Sequence, residues 1–258
     1  MPYVTVNNQR IFYTFNQTKA DTPPLVLLHG AGGSHNDWPQ SWRKSASASA
    51  LSEFPIYALD LPGHGHSDPP GRSSIDDYAQ DVVGFIDMLG LQKVAIVGHS
   101  MGGAIAQAIG GQQPRSLAGL VLIGTGAQLP VNPMILDGLQ TDFPATVQMV
   151  MKFAWHKESD PAPRQRITRH WLKTGPEVIY GDYVACNEFD VSDQLSQIQV
   201  STLVIGSSDD KMTPLKYSEF LTQHIPNAQL AVIKKAGHYL MIEKTAEVTA
   251  EIKKFLKP

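Results

Sequence analysis

The amino-acid sequence predicts a doubly wound α/β fold with a mostly parallel sheet. Short apolar runs of strand length recur along the chain. Most of these runs are near-continuous rather than alternating, which is typical of strands that are covered on both faces. Helical patterns lie between the later runs, and strands that alternate with helices favour a parallel sheet with helices on both sides.

The runs that we interpret as strands are VTV near residue 4, IFYTF at 11, PLVLLHG at 24, IYALDL at 56, KVAIVG at 93, LAGLVLIG at 117, STLVIG at 201 and LAVI at 230. The segment 74–90 predicts a helix, because it opens with a Ser-x-x-Asp start signal and ends in glycine. PLKYSEFLTQHIP and KTAEVTAEIKKFL space their apolar residues three and four apart, as amphipathic helices do. The SASASA segment at 45–50 is expected to form a surface helix or loop.

The alternation of strands and helices stops after residue 130 and resumes near Ser201. The segment between them carries Trp, Phe and Met among prolines and charges, and contains no run typical of a buried strand. We therefore predict a core formed by residues 1–130 and 196–258, with a helical insertion formed by residues 131–195. Most of the large apolar side chains of the insertion are expected to pack it onto the core.

Composition excludes several classes of protein. The 258 residues suit one large core, and the net charge of −3 gives no electrostatic case for binding nucleic acid or an anionic membrane. The single cysteine, Cys186, cannot form an internal disulfide, and no Cys/His cluster suggests zinc. The N-terminus lacks a signal-like pattern, and the apolar runs fall short of the roughly 18 residues that span a bilayer. We expect a cytoplasmic protein without metal or cofactor.

The segment GHSMGG places Ser100 between a predicted buried strand and a helix. Gly-x-Ser-x-Gly in this context is typical of a nucleophilic serine on a sharp, strained turn. Gly98 and Gly102 are expected there because a β-carbon would collide with the neighbouring strand or helix. Such a serine needs a base to take its proton and a carboxylate to orient the base.

The base and the acid are sought after the last two strands. In this fold the chain order is serine, acid, histidine, and His238 stands in KKAGHYL just after the final strand. The loop IGSSDDKMTP, after the preceding strand, offers Asp209 and Asp210 as the acid. The alternative location, after the strand that ends at Gly124, contains no acidic residue.

An oxyanion hole is predicted in HGAGG, at the end of an early strand. Backbone N–H groups in such a loop can point at a developing negative charge. Ala31, together with the N–H of Met101 at a helix N-terminus, is the favoured pair of donors, and Gly32 is the second choice. His29 is expected to orient its own loop.

Jointly, HGAGG, DLPGHGHSD, GHSMGG, SDDKMTP and AGHYLMIE resemble the α/β-hydrolase superfamily in sequence and order, in its group of esterases, lipases, haloperoxidases and ring-cleavage hydrolases. The resemblance implies the α/β-hydrolase fold, a Ser-acid-His triad and a cap at 131–195. It favours Asp210, because the acid of that family stands four positions before the proline of this loop, here Pro214. It also implies a structural role for the DLPGHG loop.

Two other chemistries are disfavoured. His64-x-His66-x-Asp68 resembles the start of a dinuclear zinc signature, but Pro69 stands where its last histidine would fall, so we predict no metal site. Relatives that open epoxides or displace halide carry an aspartate at the nucleophile position, where this chain has Ser100.

We predict a carboxylesterase-type serine hydrolase for esters of small to medium, largely apolar acids, whose partner is a small-molecule ester. Gly32 and Tyr239 are expected in the substrate pocket. A carbon–carbon ring-cleavage hydrolase or a lactonase with the same triad is the alternative, and the former would use Arg164, Arg166 or Arg169 to bind a substrate carboxylate. A non-catalytic small-molecule receptor is a further alternative.

Overall fold

The computed structural model describes residues 2–16, 22–43 and 50–256. Within these residues the strands are Tyr3–Val6 (β1), Gln9–Asn16 (β2), Leu25–Leu28 (β3), Ile56–Leu59 (β4), Val94–His99 (β5), Leu117–Ile123 (β6), Ser201–Ser207 (β7) and Ala228–Ile233 (β8). The α-helices are Gln40–Arg43 (α1), Ile75–Met88 (α2), Met101–Gln112 (α3), Pro133–Thr141 (α4), Phe143–Phe153 (α5), Pro161–Thr174 (α6), Pro176–Glu188 (α7), Leu215–His224 (α8), Leu240–Glu243 (α9) and Thr245–Leu256 (α10). Each predicted strand run coincides with one strand, whereas residues 45–49 of the SASASA segment lie outside the described residues.

The strands form one sheet in the order β1-β2-β4-β3-β5-β6-β7-β8. β1 pairs antiparallel with β2, and β2 antiparallel with β4, whereas the remaining neighbours are parallel. This confirms the predicted, mostly parallel sheet. All residues of β3 and β5 are buried, which explains why their sequences are continuous apolar runs.

Helices cover both faces of the sheet. Successive side chains of a strand point to opposite faces, and in β3 Val26 and Leu28 belong to one apolar cluster while Leu25 and Leu27 belong to another. The first cluster contains side chains of α2 and α3, and the second contains side chains of α1 and α10. The doubly wound arrangement follows from this alternation.

Helix α2 shows how local signals set the bounds of the elements. Ser74 is its N-cap, and the hydroxyl of Ser74 accepts a hydrogen bond of 3.4 Å from the N–H of Asp77. The helix ends at Met88, shortly before Gly90, which has a positive φ of 62°. These are the start and stop signals that predicted a helix in this segment.

Between β6 and β7 the chain forms α4, α5, α6 and α7, followed by a 3₁₀ turn at Ser192–Gln197. We call α4–α7 the inserted helices. Each has a proline in its first turn, where the missing N–H costs no helical hydrogen bond. This fully described segment contains no strand, only an isolated bridge between Gln128 and Asp190. The division of the chain into a core and a cap stays a proposal.

None of the helices in the described part of the chain has the length and apolar character needed to cross a bilayer.

Candidate active site

Ser100 lies on the turn between β5 and α3. Its φ of 53° and ψ of −117° fall outside the regions that non-glycine residues usually adopt. A β-carbon on Gly98 would lie 2.2 Å from the carbonyl oxygen of Gly102, and one on Gly102 would lie 2.1 Å from that of Leu28. Only glycine fits at both positions. The turn therefore presents Ser100 at the carboxyl end of the sheet, as its sequence context predicted.

His238 and Asp210 are joined by a hydrogen bond of 2.8 Å between Nδ1 and Oδ2. The hydroxyl of Thr213 donates to the same carboxylate oxygen at 2.7 Å, and the N–H groups of Met212 and Thr213 donate to Oδ1. Burial alone would raise the pKa of Asp210, but the charge of His238, its hydrogen bond and those of Thr213 hold the pKa below its ordinary value. Asp210 is thus an ionised acceptor to which the Nδ1–H of His238 donates, and Nε2 is the ring nitrogen on the side away from the carboxylate.

Asp209 has different neighbours. Its carboxylate is exposed and accepts hydrogen bonds from the hydroxyl of Ser208 at 2.5 Å and from the N–H of Lys235 at 3.2 Å. Of the two candidate acids, the structure therefore brings Asp210 to His238. The catalytic roles of Ser100, Asp210 and His238 stay predictions.

The predicted oxyanion loop, residues 29–33, lies beside Ser100, and Gly30 and Ala31 line the same cavity as Ser100 and His238. The N–H groups of Ala31 and Met101 have no acceptor within the described residues. Met101 opens α3, where N–H groups lack helical acceptors. Gly32 differs from both of its expected roles. Its N–H already donates to Oδ2 of Asp182 at 2.7 Å, and Gly32 is not among the described cavity-lining residues.

His29 orients the oxyanion loop, as the sequence suggested. Its Nδ1–H donates to the carbonyl of Gly30 at 2.8 Å, and its Nε2 accepts the N–H of Leu61 at 3.0 Å. One donating and one accepting nitrogen define a neutral ring. Burial, followed by the charge of His64, holds the pKa of His29 well below its ordinary value. His29 therefore links the oxyanion loop to the loop after β4 at all moderate pH values.

A buried polar cluster lies behind the oxyanion loop. Asp182, from α7, accepts hydrogen bonds from Nε2 of His64 at 2.8 Å, from the hydroxyl of Tyr78 at 2.7 Å and from the N–H of Gly32. The DLPGHG loop thus has a structural contact through His64. Within the described residues, no group of three or more His, Cys, Asp or Glu side chains is arranged to hold a metal ion.

Sequence reasoning did not single out Asp182. His64 and Asp182 are 118 positions apart, so no local spacing joins them. The one available signal is a carboxylate inside a helix, among the buried neighbours Ile179, Tyr183 and Cys186. A buried carboxylate needs partners, but the pattern does not say which residues they are.

His99, next to the serine, supports the loop between β8 and α9, residues 234–239, which we call the histidine loop. Its Nε2–H donates to the carbonyl of His238 at 2.9 Å, and its Nδ1 is buried without a hydrogen-bond partner among the described residues. Burial, followed by the charge of His238, lowers the pKa of His99 to about 3. His99 is therefore neutral in the range where hydrolases work, and the sequence predicted no role for it.

The cavity above Ser100 has a volume of about 220 Å³ and is mostly apolar. Its apolar and aromatic side chains include Leu129, Val131, Ile135, Val150, Met151, Trp171, Tyr183 and Tyr239. Cys186 and Thr213 also line it, and Lys211 is the one cationic side chain among its described lining residues. The three arginines that could bind a substrate carboxylate are not among the described lining residues of this cavity. Arg164 and Arg169 line a separate groove, and the charge of Arg166 affects the pKa values of Asp37 and Arg43.

The inserted helices are hydrogen-bonded to both loops of the site. On the oxyanion side, His170 donates to the carbonyl of Gly33 at 3.1 Å and Thr174 donates to that of Gly32 at 3.4 Å. On the histidine side, the N–H of His238 donates at 2.7 Å to the carbonyl of Ala154, which is the C-cap of α5. The inserted helices thus contact the backbone of both loops.

Two further contacts join α5 and the following turn to the histidine loop. Trp155 stacks on Tyr239, with ring centroids 4.8 Å apart and planes at 14°. The carboxylate of Glu243 accepts the N–H of Gly237 and the N–H of His156, both at 2.9 Å. The histidine loop is therefore anchored on both sides of His238.

Comparison with known proteins finds one matching family and relatives with different named activities. Residues 25–252 match the sequence profile of the alpha/beta hydrolase family. A thermophilic esterase of known structure is 33% identical, with a TM-score of 0.86 over 99% of this chain and 96% of that one. A 2-hydroxy-6-oxononadienedioate/2-hydroxy-6-oxononatrienedioate hydrolase of Burkholderia vietnamiensis is 26% identical, covering 94% of this chain and 90% of the relative. The dihydrolipoyllysine-residue acetyltransferase component of the acetoin cleaving system of Pseudomonas putida is 29% identical over 91% of this chain, which spans 63% of that relative's length.

Proposed function

Since the chain belongs to the alpha/beta hydrolase family, we propose that it is a serine hydrolase that cleaves carboxylic esters of small to medium, largely apolar acids. The observation that carries the proposal is the shared geometry of three side chains. Ser100 lies on a strained turn and faces the same cavity as His238, whose other ring nitrogen is bonded to the buried carboxylate of Asp210.

The proposed reaction runs in two halves. The hydroxyl oxygen of Ser100 attacks the ester carbonyl while Nε2 of His238 takes its proton, and Asp210 stabilises the resulting imidazolium. The N–H groups of Ala31 and Met101 donate to the oxyanion of the tetrahedral intermediate. Its collapse breaks the bond to the alcohol, which leaves with the proton from His238. Water then attacks the acyl-enzyme, with His238 again as base, and releases the acid and free Ser100.

The cavity supports an apolar acyl group of limited size. Its volume of about 220 Å³ is below the roughly 300–1,000 Å³ of typical ligand pockets. Its lining is dominated by aliphatic and aromatic side chains, which favour an uncharged acyl chain. The likeness to a thermophilic esterase, at 33% identity, supports ester hydrolysis as the reaction.

Ring cleavage is the second candidate, because the relative at 26% identity is named as a hydrolase of 2-hydroxy-6-oxononadienedioate and 2-hydroxy-6-oxononatrienedioate. Both of these compounds are dicarboxylates. Such a substrate needs a cation for each carboxylate that it buries. Lys211 is the one cationic side chain that the described cavity offers, and Arg164, Arg166 and Arg169 are not among its lining residues. The electrostatics of the cavity therefore favour the ester.

The proposal is tested with p-nitrophenyl esters from acetate to laurate, beside a vinylogous diketone of the ring-cleavage type and a simple lactone. We expect kcat/KM to be highest for short or medium esters and to fall for long acyl chains. A higher kcat/KM for the diketone or for the lactone would overturn the ester assignment.

A fluorophosphonate probe separates the enzyme from a non-catalytic receptor. We expect one adduct on intact protein and none on the Ser100→Ala variant. Absence of both turnover and labelling, in a folded protein that binds the ester, would favour the receptor.

A further inference from the structure

Asp182 is a buried acidic side chain outside the proposed triad. It is completely buried, lies on α7 of the inserted helices, and reaches across to the oxyanion loop. Its partners come from three other parts of the chain: the loop after β4 through His64, α2 through Tyr78, and the oxyanion loop through Gly32. One carboxylate thus joins an inserted helix to the loop that forms the oxyanion hole.

The hydrogen bonds define the protonation of this cluster. Nδ1 of His64 faces the carbonyl of Pro62 at 2.9 Å, and Nε2 faces Asp182. Because both of these partners are acceptors, both ring nitrogens donate and His64 is an imidazolium. Asp182 in turn accepts three hydrogen bonds, one on Oδ1 and two on Oδ2. Although burial opposes it, the charge of Asp182 raises the pKa of His64, in agreement with this assignment.

The carboxylate of Asp182 fixes one of the two peptide groups on either side of Ala31 in the oxyanion loop. The carbonyl of Gly30 accepts both the ring of His29 at 2.8 Å and the N–H of Gly33 at 3.1 Å. In a trans peptide the N–H points opposite to the carbonyl, so these bonds set the direction of the Ala31 N–H. The next peptide, between Ala31 and Gly32, is fixed by the bond from the Gly32 N–H to Asp182. Both peptide planes that flank Ala31 are therefore held.

We propose that Asp182 is a positioning residue of the oxyanion hole: its carboxylate, paired with His64 and Tyr78, fixes the peptide that follows Ala31. It thereby holds Ala31 in the place from which its N–H, directed by the bonds to the Gly30 carbonyl, points at the developing oxyanion. This inference rests on the proposed ester hydrolysis. Ala31 binds the reacting atoms, and Asp182 acts through it. A hole completed in this way depends on the inserted helices as well as on the sheet.

The direct test removes the carboxylate in Asp182→Ala. The matched control is Asp81→Ala, because Asp81 is also buried and bonded, to Nε of Arg72 at 2.8 Å and to Asn7 at 3.0 Å, but makes no hydrogen bond to residues 29–33 within the described part of the chain. Misplacement of a reacting group by about 1 Å costs on the order of 100-fold in rate. We therefore expect kcat per titrated active site to fall by about 10- to 100-fold in Asp182→Ala, with KM changed less than about threefold. Asp81→Ala should keep its kcat.

Two further measurements separate positioning from loss of folded protein. Affinity for a boronic acid that forms a tetrahedral adduct on Ser100 should fall by about the same factor as kcat, because the adduct needs the oxyanion donors. Hydrogen exchange of the Gly32 amide should become faster in Asp182→Ala but stay unchanged in Asp81→Ala. This last readout needs no turnover. An inactive wild type would count against ester hydrolysis, while slow exchange at Gly32 that depends on Asp182 would still support the anchoring of the loop.

Unchanged kcat per active site, or unchanged exchange at Gly32, would overturn the inference in a wild type that hydrolyses esters. The inference would also be overturned if the loss of activity in Asp182→Ala were fully explained by a smaller number of intact active sites. Should Asp182→Ala not fold, Asp182→Asn takes its place, since the amide keeps the shape but is a weaker acceptor. It should lower kcat by at least about threefold and speed exchange at Gly32, and wild-type values for both would contradict the proposal.

Discussion

The nucleophile turn and the two loops that face it are held in different ways. The turn at Ser100 is built from the sheet and its helices, because Gly98 and Gly102 let β5, α3 and β3 approach at backbone contact. The oxyanion loop and the histidine loop are bonded to the inserted helices, through Asp182 on one side and Ala154 on the other. One segment of this chain therefore both bounds the cavity and holds the two loops that face Ser100.

The largest expected effect lies on the nucleophile turn. In Ser100→Ala the attacking oxygen is lost, and in a comparable triad this costs on the order of 10⁶-fold in kcat. The fold should survive, since alanine has the same β-carbon as serine and the glycines around it are unchanged. Ester turnover and thermal unfolding of the variant would be measured together. Residual activity above about 1%, in protein free of wild type, would place the nucleophile elsewhere.

The second effect concerns the acid of the histidine loop. Asp210→Asn replaces an ionised acceptor by an amide that favours the wrong tautomer of His238, a change that costs about 10⁴-fold in kcat in the serine-protease template. Asp209→Asn is the matched control, because Asp209 is exposed and bonds to Ser208 and Lys235 instead. It should lose less than about tenfold. A larger loss at Asp209 would show that the acid is misassigned by one position.

A smaller effect is expected where the histidine loop meets the inserted helices. A β-carbon on Gly237 would lie 2.6 Å from the N of His156 and 2.7 Å from the carbonyl oxygen of Ala154. Both are backbone atoms, so Gly237→Ala must push the loop away, and we expect kcat to fall by about 10- to 100-fold.

Gly111→Ala is the control for Gly237→Ala, because a β-carbon there meets nothing within 4 Å. It should keep wild-type kcat. Equal kcat values for the two variants would mean that the contact between the histidine loop and the inserted helices does not affect the rate.

The smallest effect is a pH-dependent stability on the oxyanion side. Burial, opposed by the charge of Arg166, raises the pKa of Asp37 from 3.8 to about 7. Between these two values the folded state holds a proton that the unfolded state has released, so the free energy of unfolding falls as pH rises from about 4 to 7. Asp37→Asn removes this cost, and we expect it to be more stable than wild type by about 1 to 3 kcal/mol at pH 8 and by little at pH 4.

Urea unfolding at the two pH values checks this expectation. At each pH, the free energy of unfolding of Asp37→Asn is compared with that of wild type. A stability difference that is equal at pH 4 and pH 8 would contradict a raised pKa of Asp37.

The sheet was predictable because its signal is local. Buried parallel strands read as continuous apolar runs, and each run in the sequence became a strand. The surroundings of Ser100 and His238 were predictable for the same reason, since a strand, a turn and a few glycines stand together in the chain. Gly32 shows the limit: its place in a glycine-rich loop suggested an oxyanion donor, whereas its N–H faces Asp182. Asp182 and Glu243 could not be found, because their partners are set by the packing of distant segments.

The stack of Trp155 on Tyr239 gives this protein a built-in optical reporter. The indole belongs to the turn after α5, and the phenol follows His238 directly, so the pair spans the joint between the inserted helices and the histidine loop. Indole emission depends on the rings and dipoles in contact with it. Opening of this joint would therefore change the fluorescence of Trp155, and the motion could be followed in real time on unlabelled protein, with Tyr239→Leu as the variant that removes the partner ring.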